Sequence, residues 1–319
     1  MQSNETNSRY HMAQRTTKLN VTNGDLRLAR IFLKIVENGG ISASEEELGV
    51  NKSTISRHLA DFETRLGLTL CERGRSGFRL TLDGERVVEF VERLLASVDD
   101  FSTNISGLNE AAEGHLRIGA MDSCINDPDN PTKQHLYNFK KSHPNVNFSL
   151  KIGKITKLER AVMDGRLHAA ILPLYWQNDS FDYFELYQER VGLFAGQKHA
   201  VTQAKRNGQK LTVDDVYQHP LISRGSREPP SIRSRKAKFA IGPTVPDGEA
   251  IMALVTCGLY LSFMPTYAAM DSSRGLVEIL PDKFAYKMPV CLVSKKTHQH
   301  STLVQRFLEF VAQGIEKSS

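Results

Sequence analysis

No stretch of this chain approaches the roughly 18 consecutive apolar residues that a membrane-crossing helix needs. Its polar start also lacks the apolar segment of a secretory signal, so a cytoplasmic protein without a membrane partner is expected. Cysteine is scarce. Cys71, Cys124, Cys257 and Cys291 stand far apart with no C-x-x-C pair, which argues against a disulfide framework or a zinc site and fits a reducing compartment. Among ten histidines only His298 and His300 have a ligand-like spacing, and both read as surface residues, so no metal is expected. The chain has no G-x-G-x-x-G after a strand, no Walker-type loop, no G-x-S-x-G and no H-E-x-x-H. Catalytic residues and cofactors are therefore not expected. Nor is there much excess charge: the formal net charge is +5, and residues 20–86 hold as many acidic as basic residues.

The charge that is present is unevenly placed. Residues 51–80 carry Lys52, Arg57, Arg65, Arg73, Arg75 and Arg79 against Asp61, Glu63 and Glu72, while Glu45, Glu46 and Glu47 gather on the other side. Such polarity can orient a domain on DNA where net charge cannot. The surrounding pattern is that of two short helices at a tight corner. Ser42-Ala43-Ser44-Glu45 reads as a capping box, predicting a helix from about Ala43. Gly49 should end it in the left-handed conformation, and Asn51 should cap the next helix. In that second helix Ile55, Leu59, Phe62 and Leu66 form one apolar stripe, leaving Ser53, Ser56, Arg57 and Ala60 on the opposite face. A small, polar, basic face of this kind can enter a major groove. Ser42, Asn51, Lys52, Ser53, Thr54, Ser56 and Arg57 are its candidate DNA-contacting residues. The plain alternative is a helical hairpin with a solvated face. Residues 68–81 favour DNA: two short extended runs around a glycine-flanked turn form a wing with Arg73, Arg75 and Arg79 at its tip and edge, where they can neutralise phosphates.

From Leu82 onward, Val87, Val91, Leu94, Val98, Phe101, Ile105 and Leu108 recur at alternating steps of four and three. This is a coiled-coil seam, the alternative being a helix packed on its own domain. Thr81 is a candidate cap. A dimer formed through the seam would present two recognition helices to an interrupted inverted repeat in double-stranded DNA. After Gly114 the pattern becomes β/α alternation. Strands are expected near 116–121, 146–152 and 168–172, with helices near 132–142 and 156–164. A second set has strands near 190–195, 259–264 and 287–293 and helices at 249–257 and 302–312, and the alternation points to a mostly parallel sheet.

Residues 26–95, with the run SASEEELGVNKSTISRHLADFETRLGLTLCERGRSGFRLTLDG, resemble the winged helix-turn-helix of LysR-type transcriptional regulators, and the likeness extends more loosely to about residue 312. Ser44, Glu45, Ser53 and Cys71 depart from the residues usual in that family. Residues 1–20, rich in Ser, Asn, Thr and Gln, read by composition as a disordered tail or an expression remnant. The resemblance implies an α+β multidomain chain: a winged helix-turn-helix over 21–82 and a linker helix for dimerisation over 83–112. It then implies a two-lobed α/β effector domain like a type I periplasmic binding protein or its close relative, with lobe I over 113–186 and 286–319 and lobe II over 187–285. It further implies a homodimer or dimer of dimers and a small-molecule effector between the lobes. RNA polymerase is a further candidate partner. Effector in the cleft would shift the lobes and so the spacing and bending of bound DNA.

Ligands in such sheets bind beyond the carboxyl ends of strands, near helix amino termini. That rule selects Asp122, Ser123 and Cys124, then Tyr175 and Trp176, Ser223 and Arg224, Asp247, and Phe263. Each has a plainer reading: Ser123 as a helix cap, Tyr175 and Trp176 as packing. The carboxylate of Asp122 weighs against a simple acid and leaves an amine-bearing or neutral effector open. Arg227, Arg233, Arg235, Lys236 and Lys238 read as a solvated basic loop. Two other functions remain in view. One is thiol-based redox sensing by Cys124 at a helix start; the other is an enzyme or solute-binding protein whose amino-terminal hairpin is only structural.

Overall fold

The computed structural model describes residues 20–74, 77–107, 114–225, 230–269, 274–297 and 300–316. Arg75, Leu108, Arg227, His298 and all but one residue of the expected tail lie outside them, as do the side chains of Arg73, Asp122 and Ser123. The chain divides into two compact units, one ending at Leu95 and the other beginning at Ala96.

In the first unit, α1 (Asn23–Glu37) begins with a capping box in which the backbone N–H of Asp25 donates to Thr22 Oγ1 and the Thr22 N–H donates to the Asp25 carboxylate at 2.8 Å. The box expected at Ser42 does not form. Ser42–Ser44 is a 3-10 turn without a side-chain cap, and Ser44 instead turns inward to donate its hydroxyl to the Gly40 carbonyl at 2.8 Å. The first motif helix is thereby shortened to α2 (Glu45–Leu48), which ends at Gly49 with φ +64°. The next helix, α3 (Lys52–Leu66), starts as expected, with Asn51 Oδ1 accepting from the Thr54 N–H at 2.9 Å. Its stripe of Ile55, Leu59 and Phe62 packs with Phe32, Ile35 and Leu70 into one core. The wing comes next as β1 (Cys71–Gly74) paired antiparallel with β2 (Gly77–Leu80). Then α4 (Leu82–Gly107) begins where Thr81 Oγ1 accepts from the Gly84 N–H and donates to the Thr69 carbonyl.

The seam on α4 needs correction at its start. Val87 and Val91 are 7% and 5% exposed, packed into the core of the first unit, and so cannot face a partner. Beyond Leu82 at its first position, the exposed large apolar residues on α4 are Phe90, Leu94, Phe101 and Ile105, with Val98 half-buried among them. Burial of two positions moves the free stripe by one residue at its amino-terminal end. It leaves the spacing of the remainder unchanged.

The second unit opens with β3 (Gly114–Ala120), α5 (Asp122–Ile125), α6 (Thr132–Ser142), β4 (Val146–Ile152), α7 (Ile155–Met163) and β5 (Ala169–Pro173). The long strand β6 (Phe181–Gly196) leads to α8 (Ala200–Arg206), α9 (Val213–Tyr217), β7 (Pro220–Ser223), α10 (Pro230–Lys236), β8 (Ala240–Thr244), α11 (Gly248–Thr256), β9 (Leu261–Pro265) and α12 (Thr266–Ala269). The chain closes with β10 (Leu276–Glu278), α13 (Pro281–Phe284), β11 (Tyr286–Lys295) and α14 (Thr302–Glu316). All strands from β3 onward join one sheet in the order β4-β3-β5-β11-β6-β9-β7-β8, with β10 also on β6.

A mostly parallel sheet was the expectation, and here the pairing is mixed. Strands β3, β4 and β5 run parallel, as do β7, β8 and β9, but β6 and β11 are antiparallel to each other and to their flanking neighbours. The reason is topological. These two strands carry the chain out of the first lobe and back again, so they run in opposite senses through the middle of the sheet. Alternation along β5 and β11 sends Ile171, Val290 and Leu292 to one core and Leu172, Cys291 and Val293 to another on the opposite face. The farther half of β6 does the same for a second lobe through Leu193 and Phe194. The last helix, α14, returns to the first lobe and packs Leu303, Val304, Phe307 and Val311 against β3 residues. No helix among the described residues is long and apolar enough to cross a membrane.

Candidate DNA surface and effector cleft

On α3 the side chains of Lys52, Ser53 and Arg57 are exposed, and those of Thr54 and Ser56 are half-buried. The cap gathers three of the expected residues into one group: Asn51 Oδ1 accepts from both the Thr54 N–H and the Ser53 hydroxyl, the latter at 2.8 Å. The Lys52 N–H donates to Glu45 Oε1, which ties the start of α3 to α2. Ser42 is exposed on its 3-10 turn and Arg79 on β2. Not every basic residue here is available. Arg65 donates to Asp25 at 2.9 Å and to the Asn20 carbonyl at 2.7 Å, and Lys34 bridges Glu37 and Glu47. Lys52, Arg57 and Arg79 have no ion pair among the described residues. Their charge can therefore go to phosphate or base edges without breaking an existing contact.

In the second unit a cavity of about 1150 Å³ opens between the lobes. Of the residues expected there, Tyr175, Trp176, Arg224 and Asp247 line it. Asp247 also caps α11, accepting from the Ala250 N–H at 3.0 Å. Ser223 closes the adjoining turn by accepting from the Gly225 N–H and does not line the cavity. Asp122 and Ser123 open α5 directly after Met121, which does line it. Phe263 is buried and walls a second, smaller cavity that shares Met121, Tyr175 and Arg224 with the first.

Cys124 is 0% exposed within the first-lobe core, which removes it from the cleft and from contact with a dissolved oxidant. The hydrophobic environment of the core wins over the strand-end rule at this position. The basic run is also corrected: its described part is α10 and the residues after it, not a solvated loop. Arg233 lies over the Trp176 ring at 5.7 Å, Arg235 over Tyr286 at 5.9 Å and Lys236 over Phe263 at 5.4 Å.

Some lining residues obey a signal that was available. Lys154 and Thr156 stand at the start of α7, just past the carboxyl end of β4, where the rule used for β3 applies equally. Glu189 had no such signal, because it sits in the middle of β6. It is 5% exposed, and burial together with the neighbouring charge of Asp127 pushes its carboxyl up to about 7, with Arg224 opposing. The polar loop 126–130 turns Asp127 and Asn130 inward. Asn130 Nδ2 donates to the Cys124 carbonyl and its Oδ1 accepts from the Thr132 N–H, while buried Asp127 is raised by desolvation. Farther from the cleft, Arg117 and His168 meet Asp100 of α4 at 2.8 and 2.9 Å. The Arg117 N–H donates to His168 Nδ1, so the ring carries its proton on Nε2 and donates it to Asp100. Burial raises Asp100, but His168 and Arg117 together outweigh it and hold the carboxyl below its usual value.

Comparison with known proteins places both parts. Residues 26–85 match the family described as "Bacterial regulatory helix-turn-helix protein, lysR family", and residues 109–316 match "LysR substrate binding domain". The HTH-type transcriptional activator BauR of Pseudomonas aeruginosa is 31% identical over 294 residues, covering 92% of this chain and 96% of that protein. The probable HTH-type transcriptional regulator LrrA of Synechococcus elongatus is 28% identical over 82% of this chain and 86% of its own. Among solved structures, CbnR, a LysR family transcriptional regulator, superposes with a TM-score of 0.64 at 20% identity, covering 91% of this chain and 99% of its own. Full-length CbnR complexed with its target DNA gives 0.62 at 20% identity, covering 92% and 99%. With one family description spanning well over half of its length and a relative above 30% identity along nearly all of it, the chain belongs to the LysR family of bacterial transcriptional regulators.

Proposed function

We propose that this regulator binds an interrupted inverted repeat in double-stranded DNA as a homodimer or dimer of dimers, in the cytoplasm, and does no catalysis. Lys52, Ser53, Thr54, Ser56 and Arg57 of α3 enter the major groove. Ser42, Arg73, Arg75 and Arg79 engage the backbone beside it. Phe90, Leu94, Val98, Phe101 and Ile105 of α4 form the dimer seam, the exposed Phe101 at 67% being the largest apolar surface the pairing removes from water. A small molecule in the cleft between the lobes, against Tyr175, Trp176, Arg224 and Asp247, changes how the assembly bends DNA. By its likeness to an activator, the direction is activation. The observation that carries the reading is the outward face of α3, where Lys52 and Arg57 stand exposed and unpaired beside a filled cap.

The test is DNA binding across a salt series with fragments selected by the protein itself. Arg57→Ala should lose about 10- to 100-fold for the selected site and relax its base preference, whereas Arg79→Ala should weaken all sequences alike and flatten the salt dependence by about one unit of slope. Both variants binding like the parent would mean that the recognition surface lies elsewhere.

A further inference from the structure

The smaller cavity of the second unit has about 20 Å³ of space for the centre of a water-sized group. That is room for one such group beside Glu189. Glu189 lines it, almost wholly buried, with an Oε1 that has no hydrogen-bond partner among the described residues. Arg224 opposes the rise of this carboxyl through its charge, but no described neighbour donates a hydrogen bond to Oε1. Arg190, next in the chain, points away and donates to Glu278 and Thr266, each at 2.7 Å. The Tyr187 hydroxyl lies 3.4 Å from the Cys124 carbonyl as donor, and Asp127 beside it adds a second negative charge. A buried carboxylate oxygen to which the chain brings no donor is costly unless something else brings one.

The walls say what would fit. Tyr175, Phe263 and Tyr286 border the cavity, and aromatic faces attract cations. An ammonium head is about the size of a water and carries three donors. Arg224 and Lys236 border the same space, so a ligand bringing positive charge alone would meet two cations. One that also carries a carboxylate would meet them with opposite charge, in charge-assisted hydrogen bonds. Arg224, Tyr175 and Met121 also line the larger cavity, which leaves space for the remainder of such a molecule. Resting on the reading of the cleft as the effector site, we propose that Glu189 receives the ammonium group of the effector while Arg224 and Lys236 receive its carboxylate, so that the effector is a small zwitterionic amino acid.

The experiment is calorimetric titration of the full chain with unbranched amino acids of two to five carbons, each compared with the carboxylic acid and the amine of the same length. One amino acid should bind about 30-fold or more tightly than either one-charge analogue. Glu189→Gln should bring its affinity down to that of the acid, and Arg224→Ala down to that of the amine. A merely damaged pocket would weaken all three alike. The melting temperature of ligand-free Glu189→Gln, expected at or above the parent's, shows that the variant folds. The proposal is overturned if no amino acid of the panel binds, if an acid or amine binds as well as the amino acid, or if Glu189→Gln binds the amino acid like the parent. Operator footprints taken with the same compounds separate the two claims. Binding that obeys the charge rule without moving the footprint keeps the ammonium site and sinks the effector reading. An amine-free compound that fills the cleft and moves the footprint does the reverse.

Discussion

The two units of the chain differ in how they treat their most deeply buried polar groups. In the DNA-binding unit the shifted acids are held in their charged form by partners: hydrogen bonds from Arg65 and Thr22 bring Asp25 down to about 2, and Lys34 with Asn38 lowers Glu47. In the effector unit Asp100 and Asp215 are lowered by partners in the same way, but at several other groups burial dominates and favours the neutral form. Glu189 rises to about 7 and Cys291 to about 12, while His199 falls to about 4 with His219 adding to the effect. Buried side-chain atoms without a partner show the same division. Among the described residues Glu189, Thr202, Ser294 and the rest of that set all lie in the second unit. A surface that must meet DNA in one geometry is preorganised by pairs that are already complete. Of the unpartnered atoms in the second unit, only Glu189 Oε1 belongs to a residue lining the cleft cavities, where the proposed effector would supply its partner.

The sharpest way to break this comparison is to disturb the completed joint between wing and linker helix. A Cβ at Gly84 would lie 1.9 Å from the Leu70 carbonyl oxygen, a backbone atom that cannot swing aside. Gly84→Ala should therefore cost about 3 kcal/mol or more of the DNA-binding unit's stability, measured as helical circular dichroism against urea. A loss under about 1 kcal/mol would show that the joint is slack and the preorganisation overstated. The next largest effect is in the other unit and has the opposite sign. Because the folded carboxyl of Glu189 titrates near 7 against an ordinary 4.5, folding takes up a proton between those values and stability falls as pH rises through them. Above about pH 7 the full penalty remains, roughly 3 kcal/mol. Glu189→Gln should accordingly match the parent near pH 4.5 and gain up to that amount by about pH 8. The single tryptophan, Trp176, lies in the cleft and makes its fluorescence a reporter for this unit alone. A stability difference independent of pH would show that Glu189 is not desolvated.

The same division explains what could be read from the residues in advance. Local signals sufficed for Gly49, Asn51 and Thr81, whose roles depend on neighbours a few positions away, and for the helix at 132–142, which has those bounds in the structure. The Ser42 box failed although its residues fit, because Ser44 finds a better acceptor in the Gly40 carbonyl once the chain has turned. Val87 and Val91 fit a heptad as well as Leu94 does. Only the packing of Phe32, Ile55 and Leu70 against them decides that they are core. The cleft was partly legible: strand ends located Tyr175, Trp176, Arg224 and Asp247. Glu189 is brought to its position by a strand crossing between lobes, and no spacing along β6 marks the point at which it meets Arg224 and Lys236.

The smallest expected effect tests whether completed pairs matter for recognition as well as for stability. Asn51 accepts from the Thr54 N–H at 2.9 Å and from the Ser53 hydroxyl at 2.8 Å. Asn51→Ala removes the one oxygen that accepts both bonds. The freed amide is exposed and water replaces part of the bond, so the stability loss should be about 1 kcal/mol, well below that of Gly84→Ala. Ser53 loses the contact that fixes its rotamer on the face proposed to enter the groove, and the start of α3 keeps only the Lys52 N–H to Glu45 tether. DNA affinity should therefore drop with base discrimination falling alongside it, while the salt slope stays as in the parent because no phosphate-neutralising cation has been removed. If affinity and discrimination are both unchanged at a measured loss of about 1 kcal/mol in stability, the cap serves the fold alone, and preorganisation of the DNA surface must come from the tether between α2 and α3.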